Sequence, residues 1–128
     1  MGEITANVNW LAAGVGAVLS YLLGWFWYSP KLFGTKWAEG VGVSLVDAGE
    51  MPVAAMVVQA FGTFSLAWVV GVTAMNNALI TLILIVVTII LLIAAGGLYV
   101  KKSRYAIAVE AGFVVAMTVI MVICQGVL

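Results

Sequence analysis

Four stretches of the chain are almost wholly apolar, and each is about as long as the roughly 20-residue helix that crosses a hydrocarbon core. They run over 9–28, 51–74, 79–100 and 104–127. Asn7 and Asn9 precede the first and can cap it, and Ser29-Pro30 stops it, because proline disfavours helix in the residue before it. Pro52 stands in the first turn of the second, where a missing N–H does no harm. Met75-Asn76-Asn77-Ala78 and Lys101-Lys102-Ser103 are tight turns, so the last three spans are expected to pack as antiparallel neighbours. Between the first two spans lies the longest loop, 29–50. There Phe33 and Trp37 stand at i, i+4 beside Lys31 and Lys36, which predicts a short helix over 31–39 lying on the membrane interface. Gly40 and Gly42 end it, and Ser44 with Asp47 signals one further capped turn. The expected fold is an all-α integral membrane protein, a single four-helix transmembrane domain over 1–128 with a cytoplasmic interfacial helix between its first two spans.

Composition makes lipid the solvent. Hydrophobic residues make up 66% of the chain and charged ones 8%, against about a quarter charged in a soluble domain. A net charge of zero gives no argument for nucleic acid. The absence of histidine excludes His-ligated haem, His-based zinc sites and a His general base, and no cofactor is expected. Cys124 is alone, which rules out an intrachain disulfide, and it reads as a small apolar filler. Met1-Gly2-Glu3 supplies no basic leader, so the first span is expected to stay in the mature protein, and Ala6 stands where myristoylation prefers Ser or Thr.

The charges sort to one side. Lys31, Lys36, Lys101, Lys102 and Arg104 all fall with the first and third loops, and the opposite side has no Lys or Arg. The positive-inside rule then places both loops in the cytoplasm and both termini outside. Trp25, Trp27, Tyr28, Phe33, Trp37, Tyr99 and Tyr105 cluster at the same boundary, with Trp10 at the other, the belt of amphipathic rings expected at headgroup depth.

Small residues recur every four positions in two spans. Ala12, Gly16, Ser20 and Gly24 form one ladder, and Ala108, Gly112 and Ala116 form another, either of which lets a second helix approach closely. Glu110 is the one charged side chain set inside an apolar span, and it lies about 200° around the helix from Ala108 and about 160° from Gly112. It therefore faces away from its own ladder, which argues for neighbours on both sides of the fourth span and hence for a homo-oligomer or a partner subunit. Counted at 1.5 Å per residue, Glu110 lies roughly 9 Å, Gln59 roughly 12 Å, and Ser20 and Tyr21 roughly 10–12 Å inside the cytoplasmic boundary. One polar layer is expected, in which Glu110 bonds to Gln59, Tyr21 or Ser20; the alternative is a desolvated, protonated carboxyl. Three roles fit: a structural strut, a proton- or substrate-coupling carboxylate, or a side chain snorkelling toward Lys101, Lys102 or Arg104.

Three strings carry a family resemblance: Asn9-Trp10-Leu11-Ala12, then Gly24-x-x-Trp27-Tyr28-Ser29-Pro30 followed by Phe33-Gly34-x-x-Trp37, and finally Glu110-Ala111-Gly112-Phe113. Together they resemble the small bacterial membrane proteins grouped as domain of unknown function family 1761, across nearly the whole chain. Lys101-Lys102-Ser103-Arg104 keeps the base but lacks the acid of the pair that usually precedes that family's last helix. The resemblance implies a multi-pass protein of the bacterial inner membrane and supplies no activity. It singles out Trp27, Tyr28, Pro30, Phe33, Gly34 and Trp37, as interfacial anchors or as functional positions. The expected function is non-enzymatic: a small membrane protein that assembles as a homo-oligomer or as an accessory subunit of a larger complex. The alternative is a small proton-coupled transporter using Glu110. The expected partners are lipid and other membrane subunits, and nothing in the sequence specifies a small-molecule ligand.

Overall fold

The first amides of a helix have no acceptor within it, and two of the long helices here open with a side chain that supplies one. Asn9 Oδ1 accepts from the Ala12 N–H at 3.0 Å, and Ser103 Oγ accepts from the Ala106 N–H at 3.0 Å. The computed structural model describes residues 2–29, 31–42 and 53–128. Its helices are α1 (Gly2–Thr5), α2 (Trp10–Trp27), α3 (Gly34–Val41), α4 (Val53–Met75), α5 (Leu79–Tyr99) and α6 (Arg104–Val127). α2, α4, α5 and α6 are long and apolar enough to cross a membrane, and no strand occurs among the described residues. The chain is an all-α, multi-pass integral membrane protein. Pro30, Pro52 and the capped turn expected at Ser44 and Asp47 lie outside the described residues.

Two of the helix ends close by one device. Asn77 and Lys101 adopt left-handed φ angles of 53° and 61°. The next N–H then reaches back five residues, Ala78 to Thr73 O at 2.8 Å and Lys102 to Gly97 O at 2.9 Å, covering carbonyls that the helix leaves open. For a lysine that backbone costs about 1–2 kcal/mol. It fixes where Lys102 leaves α5 and starts toward α6.

Packing follows side-chain size. α2 and α6 run antiparallel, with glycines of one facing large side chains of the other. A Cβ on Gly24 would stand 3.0 Å from Phe113 Cζ, and one on Gly16 would stand 3.3 Å from Met121 Cγ. The Ala12, Gly16, Ser20 and Gly24 ladder is thus spent inside the chain, letting Phe113 and Met121 seat against backbone. α6 is the central helix and touches α2, α3, α4 and α5. Its two-sided character, which on sequence grounds argued for a second copy, is therefore met within one chain and carries no such argument. Ala108 of its ladder is exposed, Ala116 is half-buried, and Gly112 lies against Trp27.

Of the four long helices α5 is the most apolar and the least buried, touching α4 and α6 and leaving most of its surface outward. That is the pattern of a helix whose other partner is lipid. At the far end α1 folds back on α4, where Trp68 Nε1 donates to Ile4 O at 2.6 Å and the Trp10 ring lies 5.5 Å from that of Trp68.

Candidate functional site

The site forms where the chain reverses after α2, at the end that carries all five basic residues, called here the basic end. Phe33 N–H donates to Trp27 O at 3.2 Å and Gly34 N–H to Ser29 O at 2.9 Å, which folds the backbone tightly on itself. Glycine is required there, because a Cβ on residue 34 would overlap the Tyr28 carbonyl oxygen. α3 is thereby aimed at the first turns of α6. It docks through Gly40, whose carbonyl accepts from Ser103 N–H at 3.0 Å and whose missing side chain leaves room for Ser103 Oγ and Ala106. Ala38 is buried as well, and Gly42, at φ 79°, ends the helix.

This docking carries Trp37 to Glu110. Trp37 Nε1 donates to Glu110 Oε2 at 3.1 Å. Lys102 Nζ donates to the same carboxylate at 2.9 Å to Oε2 and 3.1 Å to Oε1. Its stem passes close to Gly97, where any side chain would crowd Ile107 as well. The side chains of Lys102 and Glu110 are 28% and 15% exposed, so the pair is largely buried without being sealed off.

Around the carboxylate the rings form one cluster. Trp27 and Phe33 centroids are 4.7 Å apart, Tyr28 meets Trp37 edge-on at 4.9 Å, and Phe113 lies 5.4 Å from Tyr28 and 6.1 Å from Trp27. Trp27 Nε1 donates to Val109 O at 3.0 Å, tying the end of α2 to α6 one residue before Glu110. Beside the cluster Lys36 Nζ sits 5.5 Å from the centre of the Tyr105 ring, a cation–π geometry. The proposed belt therefore divides. Trp25, Tyr99 and Tyr105 are exposed, whereas Trp27, Tyr28, Phe33 and Trp37 turn inward onto one another and onto α6.

The polar layer expected from depth does not assemble. Tyr21 OH donates to Met56 O at 3.3 Å, and Gln59 Nε2 donates to Thr63 Oγ1 at 3.1 Å. Ser20 is fully buried and its Oγ has no partner among the described residues. Depth put these groups level with Glu110, but their directions around their helices part them from it. The partners Glu110 does have are Lys102, one of the three bases toward which snorkelling pointed, and a tryptophan expected to anchor in headgroups. An indole N–H one residue after a lysine, on a short helix that must lie somewhere, was the available signal for the second.

Chemically, Glu110 is an acceptor held by two donors on different elements. Among the described residues no group of three or more His, Cys, Asp or Glu side chains gathers as metal ligands would. Three of the motif stretches of the sequence, Gly24 to Tyr28, Phe33 to Trp37 and Glu110 to Phe113, meet here, whereas Asn9 to Ala12 lies at the opposite end. Searches of the curated proteins and of the solved structures return no match. One family profile matches residues 11–126, a span that contains the whole cluster. The chain belongs to the family described as protein of unknown function (DUF1761).

Proposed function

We propose that this chain is a non-enzymatic membrane protein that assembles, with copies of itself or as an accessory subunit, and that the Glu110 cluster is the clamp holding its basic end in shape. The observation that carries the clamp is the engagement of Glu110 by Lys102 and Trp37 at 2.9–3.1 Å, with aromatic rings filling the space around them. A carboxylate committed to a lysine and an indole joins three segments of chain: α3, the α5–α6 turn and α6. A proton carrier, the alternative reading, works by alternating between bonded and free states, and here two donors oppose the free one.

In this reading the basic end lies in the cytoplasm of a bacterial cell, because all five Lys and Arg residues are found there. α3 then lies at the inner interface, with Lys36 and Glu39 exposed toward water and headgroups and Ala38 buried. The test is to reconstitute wild type and Glu110→Gln in liposomes. Oligomeric state is measured by single-molecule photobleaching, and proton flux by a trapped pH dye under an imposed gradient. The clamp reading expects an oligomer in both proteins and no flux above that of empty liposomes. Flux in the wild type that disappears in Glu110→Gln, with assembly unchanged, would establish the transporter instead.

A further inference from the structure

A pocket for a small molecule is mostly apolar, with a few polar groups placed to fix the orientation of what enters. One such cavity, of about 400 Å³, opens at the end away from the basic residues. There the last turns of α4, the first turn of α5 and the last turns of α6 converge. Its size falls within the range of about 300–1,000 Å³ usual for ligand pockets. Ala74, Asn77 and Val122 on its lining are exposed, so it is open toward lipid, whereas Val70, Thr73 and Leu82 are buried.

The walls are ordered by depth. Thr73 and Gln125 stand two residues from the ends of α4 and α6, roughly 3 Å inside, and Asn77 lies in the turn at the mouth. Val70, Leu82 and Val122 stand three to five residues in, roughly 5–8 Å along their helices. The polar groups thus all lie near the mouth, and the deeper wall is apolar. Gly71 makes room for Gln125, since a Cβ there would stand 3.2 Å from Gln125 Nε2.

Hydrogen-bonding capacity and charge narrow the occupant. Thr73 Oγ1 gives its hydrogen to its own helix, 3.0 Å from both Val69 O and Val70 O, and keeps only acceptor capacity. The side-chain amides of Gln125 and Asn77 make no hydrogen bond among the described residues, and each offers donors and an acceptor. No charged side chain lines the cavity, and all five Lys and Arg residues lie at the other end. An anionic head would find no counter-charge here. A head that only accepts would leave the amide carbonyls and Thr73 unused, whereas a hydroxyl both donates and accepts.

We propose that this cavity binds an uncharged lipid alcohol, with its hydroxyl among Thr73, Asn77 and Gln125 and its chain against Val70, Leu82 and Val122. The order of the walls matches the way such a molecule lies in a leaflet, head at the surface and chain inward. The inference goes beyond the assembly reading and does not depend on it.

The experiment uses the full chain in detergent and native mass spectrometry of its lipid adducts. Three probes share their acyl chains and differ in the head: dioleoylglycerol, its acetate ester, which lacks the hydroxyl, and dioleoyl phosphatidic acid, which is anionic. Binding at this cavity is read as the retention removed by Ala74→Trp and by Val122→Trp, which fill it from exposed positions. Val58→Trp, exposed on α4 three turns away from the cavity, controls for an added tryptophan and is expected to behave as wild type. Wild type is expected to retain dioleoylglycerol about 2- to 12-fold more than the acetate, the effect of one net hydrogen bond, and more than the phosphatidate. Gln125→Leu is expected to abolish that preference while still retaining both neutral probes. Equal cavity binding of alcohol and acetate, or stronger binding of the phosphatidate there, would overturn the proposal. So would retention that neither tryptophan in the cavity reduces.

Discussion

Glu110 shows what one residue's depth does and does not determine. Its position six residues into α6 forces a partner, yet depth alone pointed to Gln59, Tyr21 and Ser20. The partners are Lys102 and Trp37. Lysine reaches inward because its stem is long and apolar, and here Gly97 leaves it a path. Breaking such a pair from one side is worse than removing it. Glu110→Ala, and separately Lys102→Met, are each expected to lower stability in detergent by about 1–2 kcal/mol, a modest figure because Lys102 is only partly buried. Combining Glu110→Leu with Lys102→Met should recover most of that loss, since no charge is then left unpaired. Thermal unfolding of the three variants checks this, and a double variant as unstable as the sum of its singles would show that the two residues are not coupled.

At the scale of the element, the helices were legible because hydropathy and caps act locally. Asn9 caps α2, and the turns at Asn76-Asn77 and Lys101-Lys102 end helices where the polar residues said they would. The small-residue ladder on α2 was legible as well, though its partner was open; the partner is the Phe113 and Met121 face of α6. What could not be read was the direction of α3. A short amphipathic helix predicts an interface to lie on without saying whether lipid or protein supplies it. The choice is made by Gly34 and Gly40, which remove the two side chains that would prevent the fold-back and the docking. Enlarging glycines should therefore discriminate between sites. Gly24→Val is expected to cost about 1–3 kcal/mol by forcing Phe113 aside, whereas Gly62→Val, on an open face, should leave the monomer's unfolding temperature nearly unchanged. Equal effects at the two positions would contradict the packing described for α2 and α6.

For the whole molecule, the arrangement is a core helix with a rim. α6 carries the contacts, α2 and α4 flank it, and α5 presents its apolar surface outward. The clamp at the basic end ties α3 and the α5–α6 turn to that core, while the first half of α4 is left uncovered. Stability is thus unevenly distributed, and the clamp should behave as a local unit. The most direct test of its role is amide hydrogen exchange of wild type and Glu110→Ala in lipid nanodiscs. If Glu110 holds α3 in place, the amides of 34–41 will exchange about tenfold faster in the variant while those of α4 and α5 keep their rates. Unchanged exchange in α3 would contradict the account.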